Sequence, residues 1–261
     1  MKKLFLATAV IAIAFSSCKK EDSSNNNSKG GIFKGPETEM YHGKAWTWIQ
    51  LDNQGNPERV AIAINDAALS SVTPGSGSTG SGHTHENNEV LAFHPKAAAT
   101  PFQHAWLNWN PNGHPPAGIY DKPHFDLHFY MVPSTEREAY VDPVKLNADP
   151  AATYLPANYM GGDPVPTMGK HWVDITSPEL NPTNPQPFTQ TFIYGSYDSK
   201  VVFYEPMITL DFLKTTNNFV RDIPQPAQFQ KSGYYPTKMR ITKQDGVTNI
   251  ILEGMVYRGQ S

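Results

Sequence analysis

Wherever this chain shows a hydrophobic period, the period is two rather than 3.6, and no stretch carries a sustained helical stripe. The cleanest case is HFDLHFYM at 124–131. Read as a strand, it puts Phe125, Leu127, Phe129 and Met131 on one side and His124, Asp126, His128 and Tyr130 on the other. Segments KAWTWI (44–49) and RVAIAI (59–64) flank the turn-rich DNQGNP and read as a hairpin. A second hairpin is expected over 189–205, turning at Tyr197-Asp198-Ser199-Lys200. A third joins 238–242 to 249–257 across Gln244-Asp245-Gly246, where Asp-Gly favours a turn of positive φ. Helical signals are short, a capping-box pattern at 135–138 and a turn or two over 208–213. With 23 prolines and 19 glycines the connections are heavily punctuated, and 142–187 reads as long irregular chain. The expected fold is all-β and mainly antiparallel, a sandwich or barrel-like single domain with long proline-rich loops and a few short helical turns.

The N-terminus reads as an address. Lys2 and Lys3 precede an apolar run over 4–15. As a helix that run spans about 18 Å, too short for a hydrocarbon core of about 30 Å, so it reads as a signal peptide rather than an anchor helix. Phe15-Ser16-Ser17-Cys18 closes it and resembles a bacterial lipobox, whose cysteine is lipidated; with the following KKED, the segment is similar to the start of Bacteroidetes lipoproteins. Lys20-Glu21-Asp22 resembles the signal that sends some of those proteins to the surface. The expectation is an outer membrane lipoprotein, periplasmic or surface-exposed, that meets the bilayer through its N-terminal lipid only. The chain then divides into a signal peptide (1–18), a flexible tether (19–35) of polar composition, and a single β domain (36–261).

Cys18 is the sole cysteine, so the folded part has no disulfide framework, thiolate metal site or thiol nucleophile. A net charge of −3 and the lack of a basic patch interleaved with aromatics argue against a nucleic-acid partner. There is no Gly-x-Ser-x-Gly elbow and no phosphate-binding glycine loop.

Seven of the nine histidines lie between His83 and His128. Imidazole and carboxylate on one strand face suit zinc, iron, manganese or copper, and the apolar opposite face makes the strand a rigid platform. Residues two apart on a strand lie about 6.6 Å apart and can share an ion, whereas four apart is about 13 Å. The comfortable pairs are therefore His124 with Asp126, or Asp126 with His128, the remaining histidine serving as a neighbouring polar or acid/base group. Further ligands for one divalent metal are sought in His171, beside Trp172, and in Glu205, read as the end of the strand VVFYE. His104 and His114, flanking a tryptophan-rich run, come next, and His83 and His85 follow a Gly/Ser loop. His124, Asp126 and His171 also match the two-histidine, one-carboxylate pattern of non-haem iron oxygenases. A metal-free alternative has Asp126 bonding both histidines in a polar layer.

Several blocks together carry a family resemblance: NWNPNGHPP (108–116), GIYD (118–121), PHFDLHFY (123–130), MGKHWVD (168–174), and FIYGSY (192–197) through FYEPM (203–207). Over residues 40–258 the chain resembles the exported bacterial proteins named for a Thermus member under sigma-E/anti-sigma-E control. The resemblance implies an exported, mostly β domain, with a ring-like homo-oligomer among its arrangements, and supplies no reaction. It places His114, His124, Asp126, His128, His171 and Glu205 inside the shared blocks.

The leading expectation is thus an envelope-anchored lipoprotein whose β domain holds a divalent metal. The alternative is a non-enzymatic binding or structural module without metal, in which Trp46, Trp48, Trp106, Trp109 and Trp172 stack on a glycan or small-molecule ligand or line an oligomer interface.

Overall fold

A computed structural model describes residues 29–75 and 87–261. Fifteen strands run in the order β1 (Gly31–Met40), β2 (Gly43–Leu51), β3 (Pro57–Asn65), β4 (Asn87–Ala92), β5 (His104–Asn110), β6 (His124–Tyr130), β7 (Tyr159–Val165), β8 (Gly169–Asp174), β9 (Gln190–Tyr197), β10 (Lys200–Thr209), β11 (Asn218–Asp222), β12 (Gly233–Tyr235), β13 (Lys238–Gln244), β14 (Val247–Glu253) and β15 (Val256–Arg258). They form an open six-stranded sheet β1-β2-β3-β14-β13-β11, an open seven-stranded sheet β4-β5-β6-β10-β9-β8-β7, and the two-stranded β12-β15. Neighbours are antiparallel, as in the central β6–β10, β9–β10 and β3–β14 pairs. The fold is the expected all-β class, in its sandwich-like form.

The three expected hairpins form. Asp198 and Ser199 both take positive φ, as do Asp245 and Gly246, which matches the turn twist to the twist of the flanking strands. The third hairpin is shorter than expected. Its second strand stops at Glu253, Gly254 turns the chain with φ 67°, and β15 leaves to pair with β12. The short helices also form, over Ser134–Glu138 and Leu210–Thr215. The first is entered from Pro133 without a side-chain cap, so the capping-box pattern is not used. The second is capped by Thr209, whose side chain accepts from the Phe212 N–H.

Two expected boundaries move. β1 begins at Gly31, inside the segment expected as a tether, because its ladder with β2 satisfies the main chain and Phe33 packs beside Ile49 and Leu51. The stretch 142–187 is less irregular than its prolines suggest, since it holds the β7–β8 hairpin. β7 is an edge strand, and Pro164 falls where its register with β8 shifts, so the missing N–H disrupts no interior ladder.

The two large sheets bury a common core. From the seven-stranded sheet come Leu107, Phe125, Leu127, Phe129 and Tyr204, and from the six-stranded one Val60, Ile62, Ile64, Met239 and Ile250. Phe125, Leu127 and Phe129 are fully buried there, so the alternation of 124–131 is realised as read. The other face of the seven-stranded sheet is not left to solvent. Tyr120, Tyr140, Leu146, Met168 and Phe188, from the connections that follow β5, β6, β7 and β8, pack on Tyr130, Ile193, Phe203 and Met207 as a second core. The long loops are thus a third layer, and polar side chains on that face of β6 are sealed beneath it. Among the described residues no helix is long and apolar enough to cross a membrane.

Candidate metal centre

The outer face of β6 carries His124, Asp126 and His128, each 2% exposed or less. Burying a carboxylate and two imidazoles so thoroughly is costly unless each polar atom is matched. The matching is done by two separate clusters, not one.

The first cluster is His114, His124 and Asp126. His114 Nε2 lies 3.5 Å from Asp126 Oδ2, and His124 Nε2 lies 3.1 Å from Asp126 Oδ1. Asn110, opposite His124 on β5, donates its amide to Asp126 Oδ2 at 2.8 Å and so holds the carboxylate. The far ring nitrogens decide the tautomers. His114 Nδ1 sits 2.7 Å from the Pro115 carbonyl and His124 Nδ1 sits 2.6 Å from the Lys122 carbonyl. A carbonyl oxygen only accepts, so each Nδ1 must carry a proton. In a neutral ring Nε2 is then a lone pair, and both lone pairs are turned toward a carboxylate. His124 Nε2 and Asp126 Oδ1 are buried without hydrogen bonds. Protons or a cation must reconcile these groups. Burial opposes charge on His114, yet the Asp126 carboxylate outweighs it and His114 is raised above its ordinary value. Burial likewise pushes Asp126 up, but the His124 and His114 imidazoles override it and hold the carboxyl well below its usual range.

The second cluster is His128, His171 and Glu205. The register that pairs Phe203 with Tyr130 and Met207 with Asp126 places Glu205 level with His128. His128 Nε2 is 3.6 Å from Glu205 Oε1, and His171 Nε2 is 3.5 Å from Glu205 Oε2. His171 comes from β8, three strands away, and leans over Gly195 and Phe203 until the two histidine rings are 6.1 Å apart. Phe203 packs edge-on against both of them, at 5.0 and 5.2 Å. Burial drives Glu205 well above the carboxylate range, and the nearby Asp126 charge adds to it. Burial thus favours the protonated form of Glu205.

Tetrahedral coordination with bonds of 2.0–2.2 Å has ligand-to-ligand edges of about 3.4 Å. The four carboxylate–imidazole separations, 3.1 to 3.6 Å, bracket that edge. Both clusters could hold a metal ion with three protein ligands apiece.

No family model, curated protein or solved structure matches this chain. The site therefore rests on its own geometry.

That geometry reapportions the sequence candidates. His124, Asp126, His128, His171 and Glu205 all come to the same sheet face, but as members of two triads with no shared ligand. His124 and His128 part company because they are four residues apart on an extended strand. His171 falls to His128 and Glu205 rather than to His124 and Asp126, so the iron-oxygenase grouping is not formed. His114, a secondary candidate, completes the first triad, carried over the sheet by the loop after β5. Glu205 is not a strand end, for β10 continues through Pro206 to Thr209. The ladder to β6 skips Glu205 and Pro206, which accommodates the missing proline N–H and leaves Glu205 facing the site. His83, His85 and Cys18 lie outside the described residues. Of the tryptophans, Trp106, Trp109 and Trp172 are buried, whereas Trp46 and Trp48 are half-buried on the six-stranded sheet, with Lys34 over the Trp46 ring.

His104 joins neither triad. It stacks on Tyr130 with ring centroids 4.9 Å apart and donates Nδ1–H to the Val132 carbonyl at 2.8 Å. Burial holds it down to about 4, against the hydrogen bond to Val132 and with a further push from Arg137. Between pH 6.5 and 4 the unfolded chain binds a proton here that the folded chain does not. Stability is therefore expected to fall as pH drops through that window, by up to roughly 3 kcal/mol from this group. Urea unfolding of wild type and His104→Phe across the window measures it: the stability of wild type relative to the variant should decline toward pH 4, and a constant difference would contradict it.

Proposed function

We propose that this protein is a lipid-anchored envelope protein whose β domain binds divalent metal at two buried triads, His114/His124/Asp126 and His128/His171/Glu205. The observation that carries the reading is the pair of histidines whose Nδ1 atoms are committed to backbone carbonyls while both Nε2 atoms face one buried carboxylate. A histidine that donates its far nitrogen to a carbonyl is the usual posture of a metal ligand, because that bond fixes the tautomer and the ring plane. The imidazole and carboxylate donors suit zinc, iron, manganese or copper. Three protein ligands leave a position open for water or another molecule, the arrangement that distinguishes catalytic from closed structural sites. The lipobox pattern ending at Cys18 and the polar stretch after it support attachment to the outer membrane by lipid.

The test is elemental analysis of chelator-free protein together with thermal unfolding before and after zinc is added. Two ions per chain are expected, with a rise in Tm, since a ligand that binds only the folded state stabilises it by mass action. Loading should strengthen as pH rises, because the raised pKa values of His114 and Glu205 mean that protons compete with the metal. Protein that binds no stoichiometric metal and shows an unchanged Tm would leave the triads as proton-bridged polar clusters. For the anchor, mass spectrometry of the exported protein should find a lipid on Cys18, and membrane release should follow Cys18→Ala.

A further inference from the structure

One cleft reaches a histidine of each triad. Its volume is about 260 Å³, and it touches His114 of one triad and His171 of the other. Ile193 and Met207 of the sheet lie between them, and Val173 and Tyr120 add to a lining that is otherwise mostly apolar. Tyr120 does not fit a purely structural wall. The residue is 3% exposed, and its hydroxyl is buried without a hydrogen-bond partner, although a buried phenol normally finds one. Its ring is fixed edge-on against His114 at 6.0 Å and against Phe188 at 5.0 Å, so the side chain is held in place beside a histidine of the first triad.

We infer that this cleft is a ligand site for a small carboxylate with an apolar body, and that the Tyr120 hydroxyl donates a hydrogen bond to the carboxylate. The inference rests on the metal reading above. With two neutral imidazoles and one carboxylate around it, a divalent ion keeps one uncompensated positive charge, so its open position favours an anionic oxygen. The unused phenol donor belongs to a side chain that lines the same cleft as His114. The apolar remainder of the lining suits a hydrocarbon or aromatic body rather than a sugar or a highly charged phosphate ester. The volume is below the range of drug-sized pockets, which sets the scale of the ligand at a single ring or short chain. Asp163 at the rim is exposed, and water and salt screen its charge.

The experiment uses the full chain loaded with Co2+, whose visible absorption reports its ligands, and titrates benzoate, with benzyl alcohol as the same ring without the carboxylate. Benzoate is expected to shift the spectrum saturably and benzyl alcohol to leave it unchanged. Tyr120→Phe keeps the ring packing and removes only the donor, so benzoate affinity should fall about tenfold or more, the usual weight of a hydrogen bond to a charged group. A Co2+ protein whose spectrum ignores benzoate, or a Tyr120→Phe variant that binds benzoate as wild type does, overturns this inference and leaves metal binding intact. A Tyr120→Phe spectrum already altered before benzoate is added assigns the hydroxyl to the metal itself and also overturns it. Failure to load Co2+ at all overturns the metal reading and this one together.

Discussion

Replacing Asp126 with asparagine is expected to remove one of two metal ions and to spare the other. Asp126 supplies the only carboxylate of its triad, and both histidines of that triad orient on its two oxygens. An amide keeps the shape and the contact with Asn110 but loses the charge that holds a divalent ion, so affinity should drop by more than the roughly 10–100-fold typical of changes to the groups behind the ligands. The other triad has its own carboxylate, Glu205, one i to i+2 step further along the face, and shares no ligand with the first. Glu205→Gln should therefore give the reciprocal result. Metal counted after gel filtration at neutral pH should read one ion per chain for each single variant and none for the double. A single substitution that empties both sites, or neither, would show that the two triads are not independent centres.

Gly195→Ala is expected to destabilise the domain by roughly 3 kcal/mol, the upper end for overpacking a well-filled interior. A Cβ at this position would lie 1.9 to 2.3 Å from three ring atoms of Phe203. Phe203 has nowhere to go, since it is fully buried and wedged between His128, His171 and Tyr130. Displacing it separates the two histidines, so the same variant should lose metal at the Glu205 triad and retain it at the Asp126 triad. Adding Phe203→Leu should recover part of the stability, because the clash and the ring are one interaction and their effects will not add. Denaturant unfolding of the two single variants and the double, with metal counts for each, gives both readouts. A Gly195→Ala protein as stable as wild type with two ions bound would mean that the ring moves freely and does not position the histidines.

The strand read over 124–131 was legible because its apolar side chains all fall on one face and its polar ones on the other, and the same period of two exposed the hairpins at 44–64, 189–205 and 238–257. β5 was not legible as a strand. HAWLNWN puts Ala105, Leu107 and Trp109 on one face, but Trp106 breaks the polar series His104, Asn108 and Asn110 on the other, and Pro111 follows at once. β7 was hidden by Pro164, which only an edge position tolerates, and edge status depends on which strands pair. Among site residues, Asp126, His124 and His128 stood out by sharing a strand face. Glu205 was visible as a carboxylate in an apolar strand, but not its partner. His114 offered no local signal beyond being a histidine near tryptophans, because it sits on a loop that contributes to the site only by folding over the sheet.

Residue order along single strands was enough to specify an antiparallel β domain and a polar stripe of histidine and carboxylate on one strand, since side-chain direction alternates with the backbone itself. Tertiary structure decided that the stripe is buried, by laying the proline-rich connections over the sheet as a third layer. It also decided that the five expected ligands fall in two separate triads. Strand register sets Glu205 level with His128, a glycine lets His171 lean across Phe203, and a loop delivers His114 to Asp126. Those are pairings between residues 10 to 80 positions apart, and no local periodicity encodes which of them meet.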